Sequence, residues 1–184
     1  MADLNLYPTT RRSLAVPVVL AVLILAVIGA AVYHFIPKDT AELAVTKSAT
    51  WQSHVVFKTD TILVGRDTAE DDLYVVATLR ITDTLHIPIF LKDLTGTLTT
   101  ADGQRLEASA VEKNDLPNLF TSFPQLKPLA GTPLLREITI QPGESAEGTV
   151  LLRFPATQEA WNKRKSAALT VSYYHQDPQT IPIP

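Results

Sequence analysis

The sequence predicts a mainly β protein: a single N-terminal transmembrane helix followed by an antiparallel β-sandwich of about seven or eight strands. An uncharged apolar run occupies residues 13–36, near the start of a 184-residue chain. Beyond it, apolar residues recur at every second position in several short stretches. Proline, glycine, aspartate and asparagine interrupt those stretches at short spacing, as turns between paired strands require.

The apolar run comes first. No Asp, Glu, Lys or Arg stands between residues 13 and 37. About 20 apolar residues at ~1.5 Å each cross a hydrocarbon core of ~30 Å. A helix packed on a soluble core would carry a polar stripe, and this run has none. A secretory signal has a shorter apolar region, roughly 7–15 residues, ending in small residues at a cleavage site. Here Gly29, Ala30 and Ala31 are followed by Val32, Tyr33, His34 and Phe35, which suit a membrane–water interface. A twin-arginine export signal is matched only at Arg11, Arg12 and Leu14. The expectation is a permanent anchor, with a secreted protein whose leader is cleaved as the alternative. Pro17 falls in the first turn, where its missing N–H costs little. Ala26 and Ala30 form a small-xxx-small pair, a spacing that alanine content alone also produces.

Arg11 and Arg12 precede the run, while Lys38 at its far end is offset by Asp39 and Glu42. Positive residues stay inside, so residues 1–12 are expected in the cytoplasm and the remainder outside a cytoplasmic (inner) membrane. Residues 37–42 form a polar linker reaching at most ~20 Å. The sandwich is expected over residues 43–176, with an extended, polyproline-like tail over 177–184.

Within the sandwich, "LYVVATLRI" places Leu73, Val75, Ala77, Leu79 and Ile81 on one face, opposite Tyr74, Thr78 and Arg80. "TVLLRF" sets Val150, Leu152 and Phe154 against Thr149, Leu151 and Arg153. "ALTVSYY" alternates in the same way. "LAVTKSATWQSHVVFKT" is rich in valine and threonine and reads as a strand for most of its length. Asp102–Gly103 marks a hairpin, and Pro142–Gly143 a second strand–turn–strand unit. "PATQEAWNKRKSAA" reads as one or two helical turns. Residues 114–135 hold four prolines and cannot be one strand.

On these pieces the chain resembles the telokin-like, immunoglobulin-fold domains of bacterial envelope proteins of unknown function. The matching positions are 73–83, Asp102–Gly103, and 142–154 with its "PGE" and following glycine. The likeness covers about half the chain and implies an immunoglobulin-like antiparallel β-sandwich behind a membrane attachment. Thr82–Asp83 stand where those domains carry an asparagine, and no acylated cysteine is present. The resemblance implies no catalytic residues.

The absence of cysteine removes disulfides, thiolate catalysis, c-type haem attachment and lipoprotein acylation. Asp67, Glu70, Asp71 and Asp72 gather carboxylates suited to Ca²⁺, though the spacing matches no helix–loop–helix calcium loop and an acidic loop is ordinarily just solvated. Ser145 sits in a failed Gly-x-Ser-x-Gly pattern, since Glu147 holds the second glycine position. His34, His54, His86 and His175 never pair at ligand spacing. With net charge −3 and only "NKRK" as a basic cluster, nucleic acid is not an expected partner. Leu119, Phe120, Phe123, Leu126 and Leu129 are costly to leave wet, at roughly 1.5–3 kcal/mol each. They either cap the open end of the sandwich or present an apolar face to a partner.

The function expected from these readings is non-catalytic: an extracytoplasmic binding or accessory domain, possibly within a membrane complex. Its partners are the bilayer, through the helix, and another membrane or envelope protein at Leu119, Phe120, Phe123 and Leu126. No cofactor and no metal are expected. The alternative is a Ca- or Zn-dependent envelope hydrolase using the acidic residues.

Overall fold

The computed structural model describes residues 15–35, 40–57 and 68–184. They form two compact units, divided after Lys38. In the first, helix α1 spans Ala15–Phe35, 21 residues or about 32 Å of helix. Its stretch Val16–Tyr33 is apolar on every side and buries nothing in the structure. By length and composition, such a helix serves as a membrane anchor or as a signal sequence.

The second unit is a β-sandwich of eight strands. They are β1 (Ala41–Phe57), β2 (Thr68–Asp83), β3 (Ile89–Thr99), β4 (Arg105–Ser109), β5 (Thr139–Ile140), β6 (Ser145–Phe154), β7 (Ser166–Tyr173) and β8 (Gln179–Pro182). Short helices α2 (Leu116–Ser122) and α3 (Gln158–Asn162) interrupt them, and a 3₁₀ turn at Pro124–Leu126 follows α2. One sheet runs β1-β2-β6. The other runs β4-β3-β7-β8, with β5 also paired to β3. Every pairing between these strands is antiparallel.

The alternation read from the sequence is the one that builds the core. Leu73, Val75, Leu79 and Ile81 of β2 and Leu152 and Phe154 of β6 meet Leu91, Leu98, Leu169 and Val171 of the other sheet, all fully buried. Gly96 sits where any side chain would collide with Leu152 and Phe154, so its bareness lets the sheets close.

Two irregularities redirect this pattern. A bulge in β1 between Val45 and Lys47 shifts the register against β2. Leu43 and Val45 face the core before it, but after it Trp51 lies opposite Tyr74, on the outer face. The Asp102–Gly103 hairpin forms as expected, with Gly103 at φ +92° and its N–H donating to the Thr100 carbonyl at 3.0 Å. Asp102 accepts from the Thr100 hydroxyl, which holds its carboxyl below the usual range.

The Pro142–Gly143 turn also forms, with Gly143 at φ +75°. It is not a hairpin, however. The strand before it, β5, pairs with β3, while β6 after it pairs with β2. The turn therefore carries the chain from one sheet to the other, and only Thr139–Ile140 of "REITI" is strand.

The tail is part of the sandwich rather than a free extension. β8 pairs with β7 from Val171↔Gln179 to Ala168↔Pro182, and Ile183 is buried in the core. The Gln179 amide also grips the start of β1. Its Oε1 accepts from the Ala41 N–H and its Nε2 donates to the Ala41 carbonyl, both at 3.0 Å. Tyr173 donates its hydroxyl to the same Oε1 at 3.1 Å. Of the expected linker 37–42, residues 41 and 42 already belong to β1, and 37–39 lie outside the described residues.

Candidate functional site

The acidic residues lie on a strand, not a loop. Glu70, Asp71 and Asp72 are in β2, so successive side chains point to opposite faces. Asp72 accepts from Arg153 Nη2 at 2.6 Å with only 9% of its side chain exposed, and Glu70 reaches the same nitrogen at 3.3 Å. Asp71 bonds His54 Nδ1 at 2.8 Å and Gln52 Nε2 at 3.0 Å, and these bonds hold its carboxyl below the usual range. Glu70 and Asp72 are thus paired with Arg153, and Asp71 with His54. Among the described residues no three of His, Asp and Glu converge. Asp67 lies outside the described residues. Ser145 bonds the Thr82 hydroxyl across the β2–β6 ladder at 2.8 Å.

The proline-rich segment lies across the outer face of the three-stranded sheet, not over an open end. Leu126 is fully buried there with Tyr74, Val76 and Leu151, and Leu119, Phe120, Phe123 and Leu129 pack around them half-buried. Trp51, Tyr74 and Phe123 form a triangle of rings with centroids 5.4–5.8 Å apart. Burial pushes the Tyr74 phenol up. The signal for this cover was in the sequence. Tyr74, Val76 and Leu151 are apolar on the side that a half-buried strand would leave polar.

A different place concentrates backbone irregularity around open space. β3 carries a second bulge, between Leu91 and Asp93, with Lys92 as the extra residue. Glu137, at φ +58°, and His175, at φ +64°, are the two non-glycine residues in the left-handed region among the described residues. Such conformations cost on the order of 1–3 kcal/mol each and gather at ligand clamps. Here all three features border two cavities that share Glu137 in their walls, together called the groove.

Its apolar end, about 340 Å³, is lined by Phe90, Leu91, Glu137, Tyr174 and His175. Its polar end, about 460 Å³, lies between residues 110–114, residues 134–137 and Lys92. Phe90 is 46% exposed, Tyr174 41% and Leu135 37%, so each offers apolar surface to the groove. Arg136 is locked into the wall by Asp93 at 3.3 Å, Glu112 at 3.4 Å and the Ala110 carbonyl. The Lys92 ammonium lies 5.8 Å from the Tyr174 ring centroid. Sequence reading missed this groove because its parts come from four distant segments. The exposed Tyr174 beside His175, and Phe90 two residues before Lys92, were its local trace.

No protein-family model and no curated protein matches the chain. Among solved structures it is similar to an uncharacterized β-sandwich protein from Clostridium difficile 630. That match has 13% identity, covers 81% of this chain and 89% of the other, and has a TM-score of 0.39. It is also similar to a functionally unknown protein from Listeria monocytogenes EGD-e, at 12% identity over 78% and 88% of the two chains, with a TM-score of 0.36. The chain is a mainly β protein with an apolar N-terminal helix, and its sandwich architecture stands on its own strand pairing.

Proposed function

We propose that this chain is a non-catalytic binding or accessory protein of a bacterial envelope, held in the cytoplasmic membrane by α1 with its sandwich on the extracytoplasmic side. The resemblance to telokin-like immunoglobulin-fold envelope domains belongs to the same proposal. The observation that carries the reading is the helix Val16–Tyr33, apolar on every side with no face turned to a core. Water is a poor solvent for such a surface and a bilayer a good one. Arg11 and Arg12 supply the orientation.

Alkaline carbonate extraction of membranes, followed by mass spectrometry of the intact chain, tests it. The expected result is a pelleted protein retaining residues 16–33, cleaved by added protease only from the extracytoplasmic side. A soluble chain beginning after residue 31 overturns the anchor in favour of a cleaved leader.

A further inference from the structure

We infer that the groove beside the Lys92 bulge is a binding site for a short peptide with free ends and a large apolar first residue. The inference deepens the binding reading above and rests on it. The uncommitted charges of the groove decide the ligand class. Arg136 is spent on Asp93 and Glu112. Lys113 has no hydrogen bond or ion pair with any described residue, and Lys92 faces only the Tyr174 ring. Among the described residues Glu137 has no cationic partner, and it borders both ends of the groove. Two free cations and one free carboxylate, the latter at the mouth of an apolar pocket, complement a zwitterion. A peptide's ammonium sits at Glu137, its first side chain enters among Phe90, Leu91 and Tyr174, and its carboxylate reaches Lys92 and Lys113.

The stretch between offers matching groups. Neither Leu135 nor Asn114 makes any hydrogen bond with a described residue, so a main chain and a side-chain amide are free to pair with a peptide backbone. The backbone features serve the same end. Without the left-handed turn at Glu137 its carboxylate would not stand at the junction of the two cavities, and the bulge sets Lys92 out of the strand's alternation.

Calorimetry on the full chain in detergent micelles, with four probes, tests this: Phe-Ala-Ala, its N-acetyl form, its C-terminal amide, and Ala-Ala-Ala. Phe-Ala-Ala binds, and each of the other three binds about five- to tenfold more weakly. Glu137→Gln abolishes the penalty for acetylation alone, and Lys113→Gln reduces the penalty for amidation alone. Both substitutions are at exposed side chains and leave the melting curve in place. Equal affinity for all four probes, no binding at about millimolar peptide, or variants that discriminate like the natural chain overturns the site. Peptide recovered cleaved also overturns it, because the ligand is then a substrate. Protein that stays in carbonate-washed membranes yet ignores the peptides loses the groove and keeps the anchor. Protein that binds them but washes off does the reverse.

Discussion

The two sheets bury their inner faces against each other, but their outer faces meet different surroundings. The outer face of β1-β2-β6 carries Trp51, Tyr74, Val76 and Leu151 and is covered by residues 111–129. The outer face of the other sheet carries a row of hydroxyls, Ser109–Thr95–Thr170–Thr180, aligned across β4, β3, β7 and β8. It has no such cover among the described residues, and Thr170 and Thr180 bond each other at 2.9 Å. The difference lies in the alternate residues of each strand. Where these are threonine and serine, water satisfies them and period two survives. Where they are aromatic or branched, the chain must provide a third layer, and the proline-rich segment is that layer.

Leu126→Ala attacks the covered face where it is most tightly packed, and should cost about 2–5 kcal/mol in urea unfolding. A cost under 0.5 kcal/mol would mean the layer is not part of the cooperative fold.

Gly148→Ala strikes the edge of the same sheet, where the chain leaving the layer runs beside β6. A Cβ there would stand 2.6 Å from the Leu134 nitrogen and 2.7 Å from its Cα, where residues 132–134 run along β6. A loss of about 1–3 kcal/mol is expected, because backbone rather than a side-chain tip must move.

Alkaline titration compares one buried phenol on each side of the sheets. Burial raises Tyr74 under the layer and Tyr173 in the core. A folded pKa above the unfolded one contributes stability that is present below about pH 10 and lost as pH rises through the folded value. Urea midpoints should therefore fall above about pH 10, and less steeply in Tyr173→Phe, which in turn gives up its bond to Gln179 at neutral pH. An unchanged slope in that variant would place Tyr173 in contact with water.

The smallest effect belongs to the open face. Thr95→Val and Thr170→Val should each shift stability by no more than about 0.5 kcal/mol. A larger destabilisation would show that the hydroxyl row is structural.

Much of the fold was legible in the sequence, because Leu73 to Ile81 and Val150 to Phe154 alternate cleanly and Gly103 sits where its hairpin needs a positive φ. The role of Pro142–Gly143 was not, since a turn sequence sets local geometry and not which sheet receives the next strand. The bulge at Thr46 was equally silent. Nothing in "VTKS" announces an extra residue, yet it decides which face Trp51 joins. The tail looked loose because its prolines discourage strands, while the pairing of Thr170 with Thr180 depends on a partner ten residues back. The acidic cluster looked like a site because sequence cannot show Arg153 and His54 standing opposite. The groove was hidden for the opposite reason: its charges are noteworthy only because they lack partners.

The grip of Gln179 on Ala41 has a mechanical consequence. Any tension handed down the chain from the apolar helix reaches the sandwich at its first strand residue, and there it meets a side chain from the closing strand. The last strand thus works as a latch on the first, so the two ends of the domain secure each other. A tug must break both of these hydrogen bonds together before β1 can begin to peel.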